Sequence, residues 1–435
     1  MPRMLSRRLT TATVVAAATF LVLPGTAVAA PDDGAADRHV SYTEWDGARE
    51  LRKGSTDGAR TGAGGLVLSR GTTPVSYTDP FGDGSARTYD AGTWTSPVHR
   101  PGFDANEAIA SWNADTPTGT WIEVQLRGKR ATGAGWTTWY EMARWASGDD
   151  FARGDIHRTS VPDQADDDAD IWVDTFHADD GKSIDAVQVR VTLYRLSGTH
   201  ATPRVSKMGV MASALPDVET VPTSDFTLGR QIDLRVPEFS QNLHEGHYPE
   251  YDGGGEAWCS PTSTTMALYH WRRTVSSRDT AWVEPKPHDD PQVDYAARYT
   301  YDHDYEGAGN WPFNTAYAAG FRGMDAYVTR LRTLAEAERF VARGIPLVIS
   351  VSFDEEDMDG AGYSTNGHLF VIAGFTKTGD VIINDPATSS DATVTRVYKR
   401  GQVENAWVPH SGGLTYIMRP SYVPLPTPPG AEPNW

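Results

Sequence analysis

From about residue 64 to 213, apolar and polar positions alternate along the chain. In "TWIEVQLR", Ile122, Val124 and Leu126 alternate with Trp121, Glu123, Gln125 and Arg127. In "AVQVRVTLY", Val187, Val189, Val191 and Leu193 alternate with Gln188, Arg190 and Thr192. A period of two, punctuated by Gly, Asp and Thr, predicts antiparallel strands with one buried face, and a series of them predicts an all-β sandwich over 64–213. Pro216 and Pro222 then stand among small polar residues, so 214–230 reads as a linker. Beyond it the pattern is mixed. "CSPTSTTMALYHWRR" predicts a helix with Ser260 as N-cap and Pro261 in the first turn. "LRTLAEAERFVARG" predicts a helix stopped by Gly344. "IPLVISVSF", "HLFVIAGF" and "DVIINDP" are apolar strands, the last two joined by the turn "TKTGD". The expected fold is an all-β sandwich followed by an α+β domain over 231–419. The polar, Gly/Asp-rich segment 30–63 reads as a flexible arm, and the proline-rich 420–435 as an extended or disordered tail.

The first residues change the compartment. A basic start (Arg3, Arg7, Arg8), an apolar middle and the small-residue run Ala27-Val28-Ala29 fit a secretory signal peptide over 1–29. Arg7-Arg8 admits twin-arginine export as well as the general secretory route. The mature chain is expected to be extracellular, with no membrane insertion. A formal net charge of −18 argues against nucleic acid and anionic membrane surfaces as partners, since both would repel it. Eight of the 14 tryptophans precede residue 215. On an exposed β face they would stack on sugars or grip a cell-wall polymer; more often such residues fill a sandwich core.

Cys259 is the single cysteine, so no internal disulfide can form. A lone thiol is either a buried apolar residue or a nucleophile. At a helix start, unpaired N–H groups and the helix dipole favour thiolate over thiol and can face a substrate oxyanion. The thiolate needs a base. Among the 12 histidines, His39, His99, His157, His177, His200, His244, His247, His288, His303 and His410 sit in polar context and read as loop or surface residues. His270 lies on the cysteine helix, about three turns away. His368 differs, because it opens the apolar strand "HLFVIAGF". The following strand ends in Asn384-Asp385, so a hairpin brings all three into one neighbourhood. An ideal hairpin centred on Thr378 sets Asp385 opposite residue 371, roughly 10 Å along the strand from His368.

The motifs "VPEFSQ", "WCSPTSTTMALYHW", "GIPLVISV", "GHLFVIAGF" and "VIINDPA", in that order, resemble the peptidase C39-like branch of the papain superfamily in its secreted bacterial form with a β-rich accessory domain. The resemblance covers 231 to about 415. It implies a papain-like fold and a cysteine peptidase acting on peptide or protein substrates without a cofactor. Cys259 would be the nucleophile, His368 the general base and later acid, Asp385 the orienting carboxylate, and Gln241 the oxyanion-hole side chain. Gln241 precedes Cys259 by 18 positions, further than is usual in the superfamily, so the intervening segment must loop out and return.

Two other readings stay open: a cell-wall amidase or acyltransferase using the same triad, and a non-catalytic binding protein whose tryptophan-rich sandwich contacts a protein or polysaccharide. No metal is expected. "DDDAD" (Asp166–Asp170) and "EEDMDG" (Glu355–Gly360) miss the calcium-loop spacing and read as solvated acidic loops, and no His/Cys cluster suggests zinc. All candidate catalytic residues lie beyond 240, so the sandwich reads as a separable docking module, and a fragment starting near Val221 is expected to fold alone.

Overall fold

The computed structural model describes residues 38–428, 430 and 432–435; the signal segment 1–29 lies outside them. The alternating runs form strands as expected: "TWIEVQLR" lies within Thr120–Arg130 and "AVQVRVTLY" within Ile184–Leu196, paired antiparallel with Val124 opposite Val191. One sheet of the sandwich runs in the order Ala169–Trp172, Thr175–Ala178, Glu107–Asp115, Arg204–Ala214, Gly65–Leu68, Ala59–Gly62, with His39–Asp46 also on Arg204–Ala214. The other runs Ser55–Asp57, Ala86–Thr95, Ile184–Leu196, Thr120–Arg130, Tyr140–Trp145, with Thr73–Thr78 beside Ala86–Thr95. The apolar stripes Ile122, Val124, Leu126 and Val187 to Leu193 enter the core. On the opposite face Trp121 stacks on Tyr194 at 3.7 Å and packs with Tyr89 in a smaller cluster. Trp94, Trp112, Trp121 and Trp145 are buried, so these four are core residues rather than a sugar platform.

The third sheet carries the chemistry. Its order is Met324–Arg330, Leu414–Pro420, Leu347–Phe353, Thr365–Phe375, Val381–Asn384, Thr395–Tyr398, with Ile232–Asp233 on the edge of Thr365–Phe375. The helix Cys259–His270 packs on it, pinned where Ser263 Oγ donates to the Leu369 carbonyl at 3.0 Å. Trp258, not Ser260, precedes the first turn. Ser260 Oγ instead meets the Tyr416 hydroxyl at 3.0 Å, a buried partner that outcompetes capping. The second expected helix spans Leu334–Val341, capped by Thr333, which accepts from Glu336 N.

Two expectations about the periphery fail, those for the arm and the tail. The supposed arm supplies strand His39–Asp46, whose Val40, Tyr42 and Trp45 are buried in the core. The tail is docked: Asn434 donates to the Arg330 carbonyl at 2.8 Å, and Trp435 meets Phe340 at 4.9 Å. The linker stands as expected, with no helix or strand over 215–230, and it lies against the second domain, where Ser224 N and Thr227 N donate to Glu404 and Glu338, each at 2.8 Å. Each segment satisfies buried backbone and aromatic groups that average polarity does not reveal.

Nor is the sandwich a detached module. Phe313 of helix Trp311–Ala319 sits 6.2 Å from Trp112 and 5.1 Å from Trp145, and Tyr42 stacks on Tyr327 at 4.4 Å. Lys207, only 1% exposed, bridges Glu44 at 2.7 Å and Asp325 at 2.6 Å, joining the two regions by a buried ion pair. Arg330 pairs with Glu107, and Ser111 Oγ accepts from Val328 N at 3.0 Å. One apolar core runs through both.

Candidate active site

Cys259 occupies the first position of its helix, half-buried, with free backbone N–H groups of the first turn beside it. It faces His368, whose other ring nitrogen, Nε2, meets Asp385 Oδ1 at 2.9 Å. The hairpin closes the gap left by ideal pairing. Ile372 pairs with Ile383 but Gly374 with Ile382, so one extra residue, Ala373, bulges out of the His368 strand. Val371 then lies opposite Asn384, and Asp385, just past the strand, reaches back to the imidazole. Gly374 suits this point: a Cβ there would meet the Ile232 carbonyl oxygen at 2.1 Å.

Asp385 is fully buried and heavily bonded. It accepts from Tyr363 Oη at 2.9 Å, Tyr398 Oη at 2.8 Å and Ala387 N at 3.1 Å, besides the imidazole. Burial pushes its carboxyl up, but the His368 charge and hydrogen bond, with the Tyr398 hydroxyl, hold it below the usual carboxylate range. Burial also works against a charged His368. Asp385 first, then Cys259, overcome it and push the imidazole up to about 10. The ring is therefore an imidazolium at neutral pH, with Cys259 on one side and a carboxylate on the other. Asn384 is turned away from the imidazole and braces the backbone instead. Its Nδ2 donates to the Val236 and Pro237 carbonyls at 3.0 and 3.1 Å, and its Oδ1 accepts from Thr395.

Gln241 joins them despite its distance in sequence. It opens a short 3-10 turn, Gln241–His244, and its backbone N–H donates to the Pro386 carbonyl at 3.0 Å, next to Asp385. Nε2 donates one hydrogen to the Glu256 carbonyl at 2.8 Å, fixing the amide beside Cys259. The excursion returns through Gly255, where a Cβ would meet the Gln241 carbonyl oxygen at 2.3 Å, so only glycine lets the two turns touch. Gln241, Cys259 and His368 line a single cleft of about 1130 Å³, with Trp311, Tyr305 and Tyr363 among its walls.

Sequence reasoning missed Tyr363 and Tyr398, which hold Asp385, and Asp174 of the sandwich. Asp174 accepts from the Trp311 backbone N–H at 2.8 Å and so sets a wall of the cleft. Burial pushes its carboxyl up to about 7. Also unforeseen is the convergence of His244, His247 and His288 on Asp294. These are not separate surface residues: His244 and Asp294 are fully buried. His288 and Asp294 lie too far along the chain to be paired with the others by spacing; only the H-x-x-H of 244–247 was a visible signal.

Among the described residues no helix is long and apolar enough to cross a membrane. In comparisons with known proteins, the Peptidase C39 N-terminal domain model matches residues 41–213, and the Peptidase_C39 like family model matches residues 233–413. No curated protein matches. A C39-like peptidase from Bacillus anthracis is 18% identical over 43% of this chain and 97% of its own, with a TM-score of 0.25. A fragment of Prevotella intermedia prointerpain A is 12% identical over 46% of this chain and 77% of its own, with a TM-score of 0.26. The two family models fall in tandem on the sandwich and on the sheet that carries Cys259 and His368, and the chain belongs to the C39-like peptidase family.

Proposed function

We propose that this chain is an exported cysteine peptidase that cleaves peptide amide bonds through Cys259, His368 and Asp385, with Gln241 in the oxyanion hole. The observation that carries the reading is the line Cys259–His368–Asp385 at the wall of the cleft, with Asp385 Oδ1 at 2.9 Å from His368 Nε2. The Cys259 thiolate attacks the substrate carbonyl carbon. The oxygen takes up the electron pair and is met by the second Nε2–H of Gln241 and the N–H at the helix start. The tetrahedral adduct collapses, the C–N bond breaks, and the His368 imidazolium gives its proton to the leaving amine. Water, deprotonated by the now neutral imidazole, attacks the thioester. The acid leaves, and the thiolate–imidazolium pair is restored. Asp385 keeps the ring oriented and charged. Export rests on the basic start, apolar run and Ala27-Val28-Ala29 of the sequence.

The test compares wild type with Cys259→Ala on a fluorogenic peptide library and an electrophilic peptide probe at neutral pH. The expected result is one labelled site, Cys259, and hydrolysis lost in the variant without change in Tm. Hydrolysis that survives in Cys259→Ala, or a thiol labelled only in denaturant, refutes the proposal. Running muropeptides and acyl donors beside the peptides separates peptidase from amidase or acyltransferase. Contact of the sandwich with polysaccharide would rest on Trp172, which stands 60% exposed against His177. Binding of full-length protein to peptidoglycan, unchanged in Trp172→Ala, would remove that role.

A further inference from the structure

The excursion between Gln241 and Cys259 leaves the catalytic sheet and returns without a disulfide to hold it. We propose that His244, His247, His288 and Asp294 bind one zinc ion, in a closed structural site that fixes this excursion beside the cleft.

The four residues come from three pieces of chain. His244 ends the 3-10 turn that Gln241 opens, and His247 follows three positions later. His288 lies in the loop before helix Pro291–Thr300, and Asp294 sits in that helix's first turn. One ligand atom from each lies within 4.8 Å of the others. Asp294 approaches His244 Nδ1 at 2.9 Å, His247 Nδ1 at 3.6 Å and His288 Nε2 at 3.6 Å, while His247 Nδ1 and His288 Nε2 are 3.0 Å apart. Ligand atoms on a tetrahedron with metal bonds of about 2.05 Å are separated by roughly 3.3 Å, the middle of this range.

The bonding around the cluster points the same way. His244 and Asp294 are 0% exposed. Yet both nitrogens of His244 and both oxygens of Asp294 lack a hydrogen-bond partner, although Nδ1 and Oδ2 are only 2.9 Å apart. The nitrogen and the carboxylate approach without the alignment of an N–H···O bond, as groups do whose lone pairs share a third point. A buried carboxylate without a cation or hydrogen bonds is strongly destabilising. Among the described residues its ion-pair partners are these three imidazoles alone. A divalent cation balances the charge and accepts every converging lone pair.

The donor set selects the ion. Three imidazoles and one carboxylate in a compact tetrahedral array suit Zn²⁺ better than Ca²⁺ or Mg²⁺, which take more oxygen ligands. His288 Nδ1 donates to the Asp289 carbonyl at 2.5 Å, which leaves Nε2 as the bare nitrogen toward the cluster, the usual outer contact of a metal-bound histidine. Four protein ligands leave no open position, so the site is structural. His247, with 27% of its side chain exposed, is the rim through which the ion enters. The ion would join the Gln241 turn to helix Pro291–Thr300. The His244 ring also lies 6.2 Å from the Trp258 ring, next to Cys259. In an exported chain with one cysteine, this cross-link takes the place that disulfides hold in others.

The test uses full-length protein stripped with a chelator, dialysed against Zn²⁺ and assayed for bound metal by mass spectrometry, with Co²⁺ as a spectroscopic probe. Wild type and Cys259→Ala should each bind one ion. The Co²⁺ form should show tetrahedral d–d absorption without a thiolate charge-transfer band, and Zn²⁺ should raise Tm. Asp294→Asn and His247→Gln should each weaken Zn²⁺ at least about 100-fold and lose the Tm rise. His247 is the least buried ligand, so its variant stays informative if Asp294→Asn does not fold. No stoichiometric Zn²⁺ in wild type, unchanged affinity in His247→Gln, or loss of the ion in Cys259→Ala overturns the site. Loss of peptidase activity has no bearing on these readouts, so this inference and the catalytic proposal fail separately.

Discussion

Asp385→Asn keeps the size of the side chain at the back of the site and removes its charge. In the wild type His368 is raised from 6.5 to about 10 against a burial that favours the neutral ring. At about 1.4 kcal/mol per pKa unit, this favours the charged ring by about 5 kcal/mol relative to an imidazole in water, after burial has been offset by Asp385 and Cys259. The pKa is raised in the folded state, so the stability this ring contributes is fully present below pH 6.5 and is lost as pH rises through about 10. Taking away the carboxylate charge should lower the ring's pKa by about one to three units. It should also lower kcat about 10²–10⁴-fold, because less imidazolium is available to protonate the leaving amine. Histidine-labelled full-length protein titrated by NMR reads the first effect, and a fluorogenic peptide across pH reads the second. The alkaline limb of kcat/KM should move toward acid in the variant. A His368 resonance that still titrates near 10 in Asp385→Asn, or an unchanged alkaline limb, would refute the reasoning. Asn384→Ala is the control. It removes two donations to carbonyls and should cost about 1–3 kcal/mol of stability while leaving kcat per folded molecule nearly intact. The reverse ranking in folded variants would give the orienting role to Asn384.

Gln241→Ala should lower kcat about 10²–10³-fold with little change in KM, and an unchanged kcat would remove it from the oxyanion hole. A fragment starting at Val221 should be insoluble or lack cooperative unfolding, since it bares Phe313 and Tyr327 and leaves Asp325 without Lys207; a soluble fragment with a sharp thermal transition and wild-type turnover would restore the separable sandwich. Trp435→Ala should destabilise the protein by about 3–5 kcal/mol in denaturant unfolding, and a loss under about 1 kcal/mol would mean the tail is not part of the core.

Period-two alternation located the long strands of the sandwich, because each has one continuous apolar stripe. Local signals also led from Cys259 to His368 and Asp385: a cysteine at a helix start, and a polar ring at the mouth of an apolar strand. The register was not legible. The Ala373 bulge lies where Gly374 seats against the Ile232–Asp233 edge, and a hairpin read alone contains no such neighbour. Tyr363 and Tyr398 were hidden for the same reason, since their hydroxyls reach Asp385 from elsewhere in the fold. The strand His39–Asp46 was lost by averaging: eight residues with Val40 and Tyr42 on alternate positions vanish in a long polar segment. The docked tail has no periodicity at all, and its burial depends on partners such as Phe340 far back in the chain.

The strand His39–Asp46 pairs along one edge with Arg204–Ala214, and its Tyr42 N–H donates to the Pro433 carbonyl at 2.9 Å. Two ends of the described chain thus meet across a single bond. A contact between positions so far apart in sequence closes a very long loop, so the far edge of the strand is held only against a large loop-closure entropy. Topologies dominated by contacts distant in sequence fold slowly. The strand and the tail are therefore expected to open together with the core, so that the Tyr42 amide exchanges its hydrogen only as fast as the molecule unfolds globally.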